Sequence, residues 1–141
     1  MARGGIKRSV AFRFDSGLID DLRRRASEAD VTQTRLAERY LEEGLRRDEH
    51  PLIYFREGTS GRRPALLGSR LDVADVISTI RQNDNSPREA AEYLEIPIEQ
   101  LDAAVRYYED FKDEIDEWMA GTQAVADRER ERWARGQTAL S

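Results

Sequence analysis

The chain opens with a strict alternation of apolar and polar residues. Between Lys7 and Phe14 the alternate positions are Val10, Phe12 and Phe14 on one side and Ser9, Ala11 and Arg13 on the other. A period of two residues predicts a half-buried strand. Apolar residues at helical spacing then occur in two segments, which predict one helix capped by Asp15 or Ser16 and a second capped by Thr32. Residues 1–48 are therefore predicted to form one strand and two helices.

Residues 50–120 have a second, different pattern. Leu52–Phe55 and Pro64–Leu67 predict a hairpin around a glycine-rich turn. Helices are expected after Asp72 and at Ser86-Pro87, because Pro suits the first helical position. A long helix is expected from about Ile98 to Trp118.

Residues 121–141 are rich in Arg and Glu, and they predict an exposed helical tail. The run from Asp127 to Arg132 alternates in sign, so residues three apart carry opposite charges and support a helix. The whole pattern predicts a mainly α protein with units at 1–48, 50–120 and 121–141.

Charge is distributed unevenly along the chain, although the net charge is −5. Residues 1–47 hold eleven Lys and Arg against eight Asp and Glu, and the remaining residues hold twelve against twenty. The segment before Asp15 contains no acidic residue. A basic first unit favours an anionic partner, and an acidic remainder favours a different one.

The first unit is too small to bury its own apolar residues, and a single strand leaves its backbone unpaired. A two-fold dimer solves both problems if the strand pairs with its copy, with Val10, Phe12 and Phe14 in the dimer core. Such a two-stranded ribbon fits the DNA major groove. Its outward residues would be Ser9, Ala11 and Arg13, with Lys7 at the margin.

Residues 6–47 resemble the ribbon-helix-helix repressors. The resemblance rests on the alternating strand, on Phe14-Asp15 before the first helix, and on Asp30-Val31-Thr32-Gln33-Thr34-Arg35-Leu36 at the entry to the second. It implies that Ser9, Ala11 and Arg13 read bases and that backbone N–H groups near Thr32 and Gln33 hold a DNA phosphate. Asp30 stands where the family commonly has Gly. The alternative interpretation is an edge strand and a helical hairpin that have no role in DNA binding.

Residues 50–119 resemble the antitoxin-type domain of unknown function family 433, whose VapB-type members are usually encoded beside a PIN-like nuclease toxin. The matching segments are His50-Pro51, the Gly58–Gly61 turn, Leu67-Gly68-Ser69-Arg70-Leu71, Ser86-Pro87-Arg88-Glu89-Ala90-Ala91 and Val105-Arg106-Tyr107-Tyr108. Ser69 replaces a Thr of the family. The resemblance implies a toxin-binding antitoxin.

The segment from Pro87 through the helix at Ile98 predicts a helix-turn-helix with the preceding hairpin as its wing. Its acidic residues disfavour DNA, so a protein partner is favoured, with DNA contact and simple packing as alternatives. Arg70 is expected to tie the hairpin to a helix carboxylate.

Composition argues against an enzyme. The chain has one His and no Cys, so thiol and His-rich zinc sites cannot be built within it, and His50 is the only histidine that a Ser-His pair could use. No cofactor or metal is expected. No apolar run reaches membrane-spanning length and no signal segment opens the sequence, so a cytoplasmic protein without a membrane partner is expected.

Trp133 is a large aromatic residue with few apolar neighbours in the tail, which favours an anchor for a partner protein over an incidental exposed residue. Residues expected to bind a nuclease toxin are Arg128, Arg130, Arg132, Trp133 and Arg135. The sequence thus predicts an antitoxin of a type II toxin–antitoxin system: a homodimer that represses its own operator, neutralises a PIN-like ribonuclease, and can assemble further with that toxin. A stand-alone ribbon-helix-helix regulator is the first alternative, and a structural adaptor is the second.

Overall fold

The computed structural model describes residues 5–58 and 61–141, which form two compact units that divide after Pro51. Within the described residues there are six helices and one two-stranded antiparallel sheet. The predicted mainly α class is confirmed at this level. None of the described helices is both long enough and apolar enough to cross a membrane.

The first unit contains two helices, α1 (Ser16–Glu28) and α2 (Gln33–Glu49). The Asp15 carboxylate accepts a hydrogen bond from the Gly17 N–H at 3.0 Å, which identifies Asp15 as the cap of α1. The Thr32 hydroxyl accepts from the Arg35 N–H at 3.1 Å, so the predicted cap of α2 is confirmed. Asp30 makes the turn between the helices with φ +55°, a left-handed conformation that Asp tolerates better than most residues.

The predicted strand at residues 7–14 is not a strand in the single chain, where this segment lies outside any helix or sheet. The physical reason is that a strand needs a partner for its backbone N–H and C=O groups, and the first unit offers only helices. Pairing with a second copy is untested by a single chain and stays a prediction.

The second unit begins with the predicted hairpin, formed by β1 (Ile53–Gly58) and β2 (Gly61–Leu66). The strands pair in register from Ile53 opposite Leu66 to Gly58 opposite Gly61. Both strands extend further toward the turn than the sequence predicted, and Leu67 lies outside β2. The tip of the turn at residues 59–60 lies outside the described residues.

Three helices complete the core of the second unit: α3 (Val73–Gln82), α4 (Pro87–Leu94) and α5 (Ile98–Asp110). The predicted start of α4 is confirmed, because the Ser86 hydroxyl accepts from the Glu89 N–H at 3.3 Å and Pro87 follows. The fully buried ring of Tyr107 lies at the centre of this core. Phe55 meets it edge-on with ring centroids 6.3 Å apart, so the hairpin packs on α5.

The predicted continuous helix from Ile98 to Trp118 is wrong, because α5 ends at Asp110 and α6 (Lys112–Leu140) begins two residues later. Phe111 leaves the helical conformation, with φ −128° and ψ 38°. Its ring is buried with its centroid 4.7 Å from that of Tyr107. The core therefore holds Phe111 inward and breaks the helix, whereas α6 then passes through Gly121 without interruption.

The expectation that Arg70 ties the hairpin to a helix is also wrong, since Arg70 is exposed. That role belongs to Arg56 and Arg63 on the two strands. Their guanidinium nitrogens lie 2.6 and 3.3 Å from the carboxylate of Asp72, the residue that caps α3. The Asp72 side chain is 7% exposed, and breaking so buried a pair destabilises a fold more than breaking a surface pair.

A polar cluster fixes the start of α6 against the rest of the second unit. The Asp116 carboxylate accepts from Lys112 Nζ at 2.6 Å, from the Tyr108 hydroxyl at 2.6 Å and from Arg81 at 3.3 Å. Because Arg81 is on α3 and Tyr108 on α5, one carboxylate connects three helices. The hydrogen bonds from Lys112 and Tyr108 lower the pKa of Asp116 from 3.8 to about 2.

This cluster predicts a specific acid sensitivity. A carboxyl group whose pKa is depressed in the folded state contributes stability above its ordinary pKa of 3.8 and loses it as the pH falls toward about 2. Asp116→Asn should therefore lower the melting temperature at pH 7. The difference in melting temperature between the variant and the wild type should narrow as the pH falls from 4 to 2. Thermal melts of both proteins across that range test this. A gap independent of pH would contradict the assigned role of the Asp116 charge.

Candidate nucleic-acid interface

The first unit exposes most of its large apolar side chains. Within residues 5–51 the buried apolar residues are Ala26 and Leu36. The exposed large ones, at 44–94% of their surface, are Ile6, Val10, Phe12, Phe14, Leu18, Tyr40, Leu41 and Leu45. Monomeric proteins rarely leave so many apolar side chains open on so small a unit. The first unit alone therefore lacks a core that would stabilise it.

The N-terminal segment presents the residues of the predicted ribbon to solvent. The rings of Phe12 and Phe14 stack with centroids 5.6 Å apart and an interplanar angle of 21°. Side chains two residues apart that touch in this way share one face of an extended chain. Ser9, Ala11 and Arg13 are all exposed, so no part of the chain that the structure describes covers the predicted base-reading residues.

Lys7 is the one predicted DNA-binding residue that already has an ionic partner. Its Nζ lies 3.3 Å from the Glu38 carboxylate on α2, and the two side chains are 86% and 57% exposed. An ion pair this exposed is weak and is screened by salt. A DNA phosphate can therefore replace Glu38 at small cost.

The start of α2 forms an open groove in the first unit. Thr32 lies there beside Lys7 and next to two basic residues that the sequence analysis did not select, Arg35 and Arg39, and Glu38 and Glu42 line the same groove. The Arg39 Nε is buried and has no hydrogen-bond partner among the described residues. The missed signal was the spacing of four residues, which places Arg35 and Arg39 on one helix face. Gln33 is exposed as the first residue of α2 but does not line this groove.

The α4–α5 segment of the second unit carries mostly acidic side chains on its surface. Arg88 and Arg106 each form an ion pair within their own helix. Arg88 lies 3.8 Å from Glu92, and Arg106 lies 3.3 Å from Asp102. A DNA phosphate would meet repulsion here. The first unit is thus the better candidate for contact with nucleic acid.

The second half of α6 is a fully exposed helix. Every residue from Ala120 onward is exposed, including Trp133 at 69% and Leu140 at 84%. Trp133 shares a groove along the helix with Arg130 and Arg132. Two other predicted toxin-binding residues, Arg128 and Arg135, are exposed but lie outside that groove.

Comparisons with protein-family models, with curated protein sequences and with solved structures found no significant match to this chain. The two family resemblances derived from the sequence therefore stay predictions.

Proposed function

We propose that the protein is a dimeric DNA-binding repressor of the ribbon-helix-helix type and the antitoxin of a nuclease toxin. The observation that carries the proposal is the open apolar face of the first unit beside an acid-free, extended segment. A second copy supplies what this face lacks, because it offers both a strand to pair with residues 7–14 and apolar side chains to cover Phe12 and Phe14.

In this dimer the paired strands form a ribbon that enters the major groove of DNA. Ser9, Ala11 and Arg13 face the base edges, because they alternate with the residues that face the core. The start of α2 holds a backbone phosphate at Thr32 and Gln33, where free N–H groups and the helix dipole favour an anion. Arg35 and Arg39 add positive charge on the same face.

The second unit serves a protein partner in this proposal. Its hairpin and the α4–α5 pair form the small winged helix-turn-helix, but acidic side chains replace the basic ones that DNA would require. The exposed half of α6 is the main toxin-binding element. A helix that presents Trp133 and arginines to solvent fits a nuclease whose metal site needs clustered carboxylates.

Arg13 and Lys7 are expected to differ in their effects on DNA binding. Arg13→Ala should cost about 1–3 kcal/mol for each lost bidentate contact with guanine and should relax base preference. Lys7→Ala should weaken all sequences about equally and flatten the salt dependence, because it removes only a phosphate contact. Titrations against operator and scrambled duplexes at several salt concentrations measure both effects. If Arg13→Ala lost the same affinity for the operator and the scrambled duplex, its assignment to base reading would be contradicted.

The antitoxin function is tested by co-expressing the chain with the protein encoded by the adjacent reading frame. Growth rescue and co-purification are expected if that neighbour is a nuclease toxin. A chain that binds its upstream DNA but neither binds nor neutralises the neighbour would instead be a stand-alone regulator. Matched expression of the Phe12→Asp chain shows whether rescue needs the dimer.

A further inference from the structure

One face of α6 continues beyond the core of the second unit without cover. Ile115 on this face is buried, and Met119 packs against the core. Helical spacing extends the same face through Thr122, Ala126, Trp133, Gln137 and Leu140. All five are exposed, with Trp133 at 69% and Leu140 at 84% of their surface. A helix face that packs at one end and stays open for about 30 Å beyond it has room for a second helix.

The open face is complementary to itself if a second α6 lies against it in the opposite direction. Residues equally distant from the middle of the 127–132 run then lie at the same level on the two helices. The Trp133 ring is level with the small Ala126, and Leu140 is level with the flexible Met119. Facing positions that combine large and small side chains interdigitate. A parallel pair would instead place Trp133 beside its own copy and leave Ala126 opposite Ala126.

The charges along the two edges of this face fit the same arrangement. Asp127 and Arg130 lie on one edge, because a helix turns by about 100° per residue. Glu129 and Arg132 lie on the other edge. In an antiparallel pair each edge meets the same edge of the second helix, so Arg130 of one copy approaches Asp127 of the other. Glu129 approaches Arg132 in the same way. Charges beside the contact face of two helices select the partner and its direction.

These charges are available for such a contact. Arg130 lies 2.8 Å from Asp127 of its own helix, but both side chains are more than half exposed. Among the described residues, Glu129 and Arg132 form no ion pair. Residues 120–141 hold four Arg against three Asp and Glu, so two tails repel each other little.

We propose that α6 pairs antiparallel with α6 of a second copy through the face that contains Trp133. A second copy is the occupant because the fit is two-fold, so that every contact of one residue with another recurs in reverse. The inference goes beyond the proposed function and needs the proposed dimer only for strength, since chains that are already joined hold their tails at a higher effective concentration. Trp133 is then covered in the free protein, and the proposed toxin must displace the second copy.

Cysteine cross-linking of the full chain tests the pairing, because the chain has no cysteine of its own. Chains with Thr122→Cys are co-expressed with chains that carry Gln137→Cys and treated with a short bismaleimide. The expected product joins residue 122 of one chain to residue 137 of the other. Each variant alone should give little product, since the two copies of residue 122 lie about 22 Å apart in an antiparallel pair. Circular dichroism checks that the variants fold.

Charge reversals in the cysteine chains test the two edges. Arg130→Glu with Arg132→Glu makes both edges negative, and it should reduce the product about fivefold or more because four exposed ion pairs are lost. Asp127→Arg with Glu129→Arg makes both edges positive and should have the same effect. Co-expression of one negative and one positive chain should restore the product, because opposite charges meet again. This restoration separates lost pairing from a weakened helix.

Two further variants serve as controls. Arg128→Glu with Glu131→Arg exchanges two charges on the side of α6 that faces away from the second helix, and it should change the yield little. Trp133→Ala should reduce the product, because it empties the position opposite Ala126, whereas Ala139→Ser lies outside the face and should not.

Product from Thr122→Cys chains alone, an unchanged yield in either charge-reversed variant, or no restoration in their mixture would overturn the pairing. Sedimentation distinguishes its failure from that of the proposed function. A dimer that gives no product overturns the tail pairing alone, and a folded monomer without product overturns the proposed dimer as well. A dimer that persists in Phe12→Asp but is lost in Trp133→Ala would support the pairing and overturn the ribbon.

Discussion

Replacing Phe12 by aspartate is expected to convert the protein from a dimer into a monomer and to abolish operator binding. Losing a buried Phe ring typically costs about 3–5 kcal/mol. The carboxylate adds a desolvation penalty, because the proposed ribbon core would offer it no cation. Since the first unit buries little on its own, its helices should lose most of their stability with the dimer.

Sedimentation and circular dichroism on the full chain measure this effect. Phe12→Leu is the matched control, because it keeps an apolar side chain at the same position and should retain the dimer with a moderate loss of stability. Arg13→Ala should remain fully dimeric, since the Arg13 side chain would face away from the core of the proposed dimer. A Phe12→Asp chain that stays dimeric would place the dimer contact somewhere other than the ribbon.

Deleting residues 122–141 is expected to weaken neutralisation of the proposed toxin and to leave operator binding unchanged. The deletion removes a helix that is exposed throughout and carries no part of the described core. Trp133→Ala should reproduce most of the loss, because a buried aromatic anchor is worth about 2 kcal/mol or more, or about 30-fold in affinity. Growth rescue on toxin co-expression and gel shifts on the same variants measure the two functions separately.

Two controls sharpen the test of the tail. Val125→Ala removes apolar surface from the same helix outside the Trp133 groove and should have a small effect. Arg128→Ala should weaken toxin binding less than Arg132→Ala, since Arg132 lines that groove and Arg128 does not. Full rescue by the truncated chain would assign toxin binding to the second unit and leave the tail without a role.

Local signals in the sequence were sufficient for most of the helices and for the hairpin. Thr32 and Ser86 each begin a helix by accepting a hydrogen bond from an N–H group three residues later. Pro87 begins its helix because its ring fixes a helical backbone angle. The turn at Asp30 is of the same kind. Such features can be predicted because their causes lie within a few residues of each other.

The errors arose where tertiary packing decides the outcome. The apolar spacing of α5 continues into α6, so periodicity alone gave no sign that burial of Phe111 would break the helix. The partner of Asp72 depends on the register of the hairpin, which brings Arg56 opposite Arg63. Arg70 is closer to Asp72 in sequence but has no strand to position it.

The candidate interface could be predicted in part. Alternation identified Phe12 and Phe14 as one face, and their stacked rings agree with this. The ion pair of Lys7 with Glu38 could not be predicted, because it depends on how the N-terminal segment lies against α2. The position of Arg35 and Arg39 near Thr32 follows from their spacing on α2 and could have been predicted. The pairing of residues 7–14 depends on a second chain.

The most direct test of the central claim is sedimentation of the full chain with a duplex from upstream of its own reading frame. We expect a dimer in free solution and a DNA complex that contains whole dimers. At about 0.15 M salt the protein should bind this duplex clearly more tightly than a scrambled duplex. A folded monomer that shows no preference between the two duplexes would contradict it.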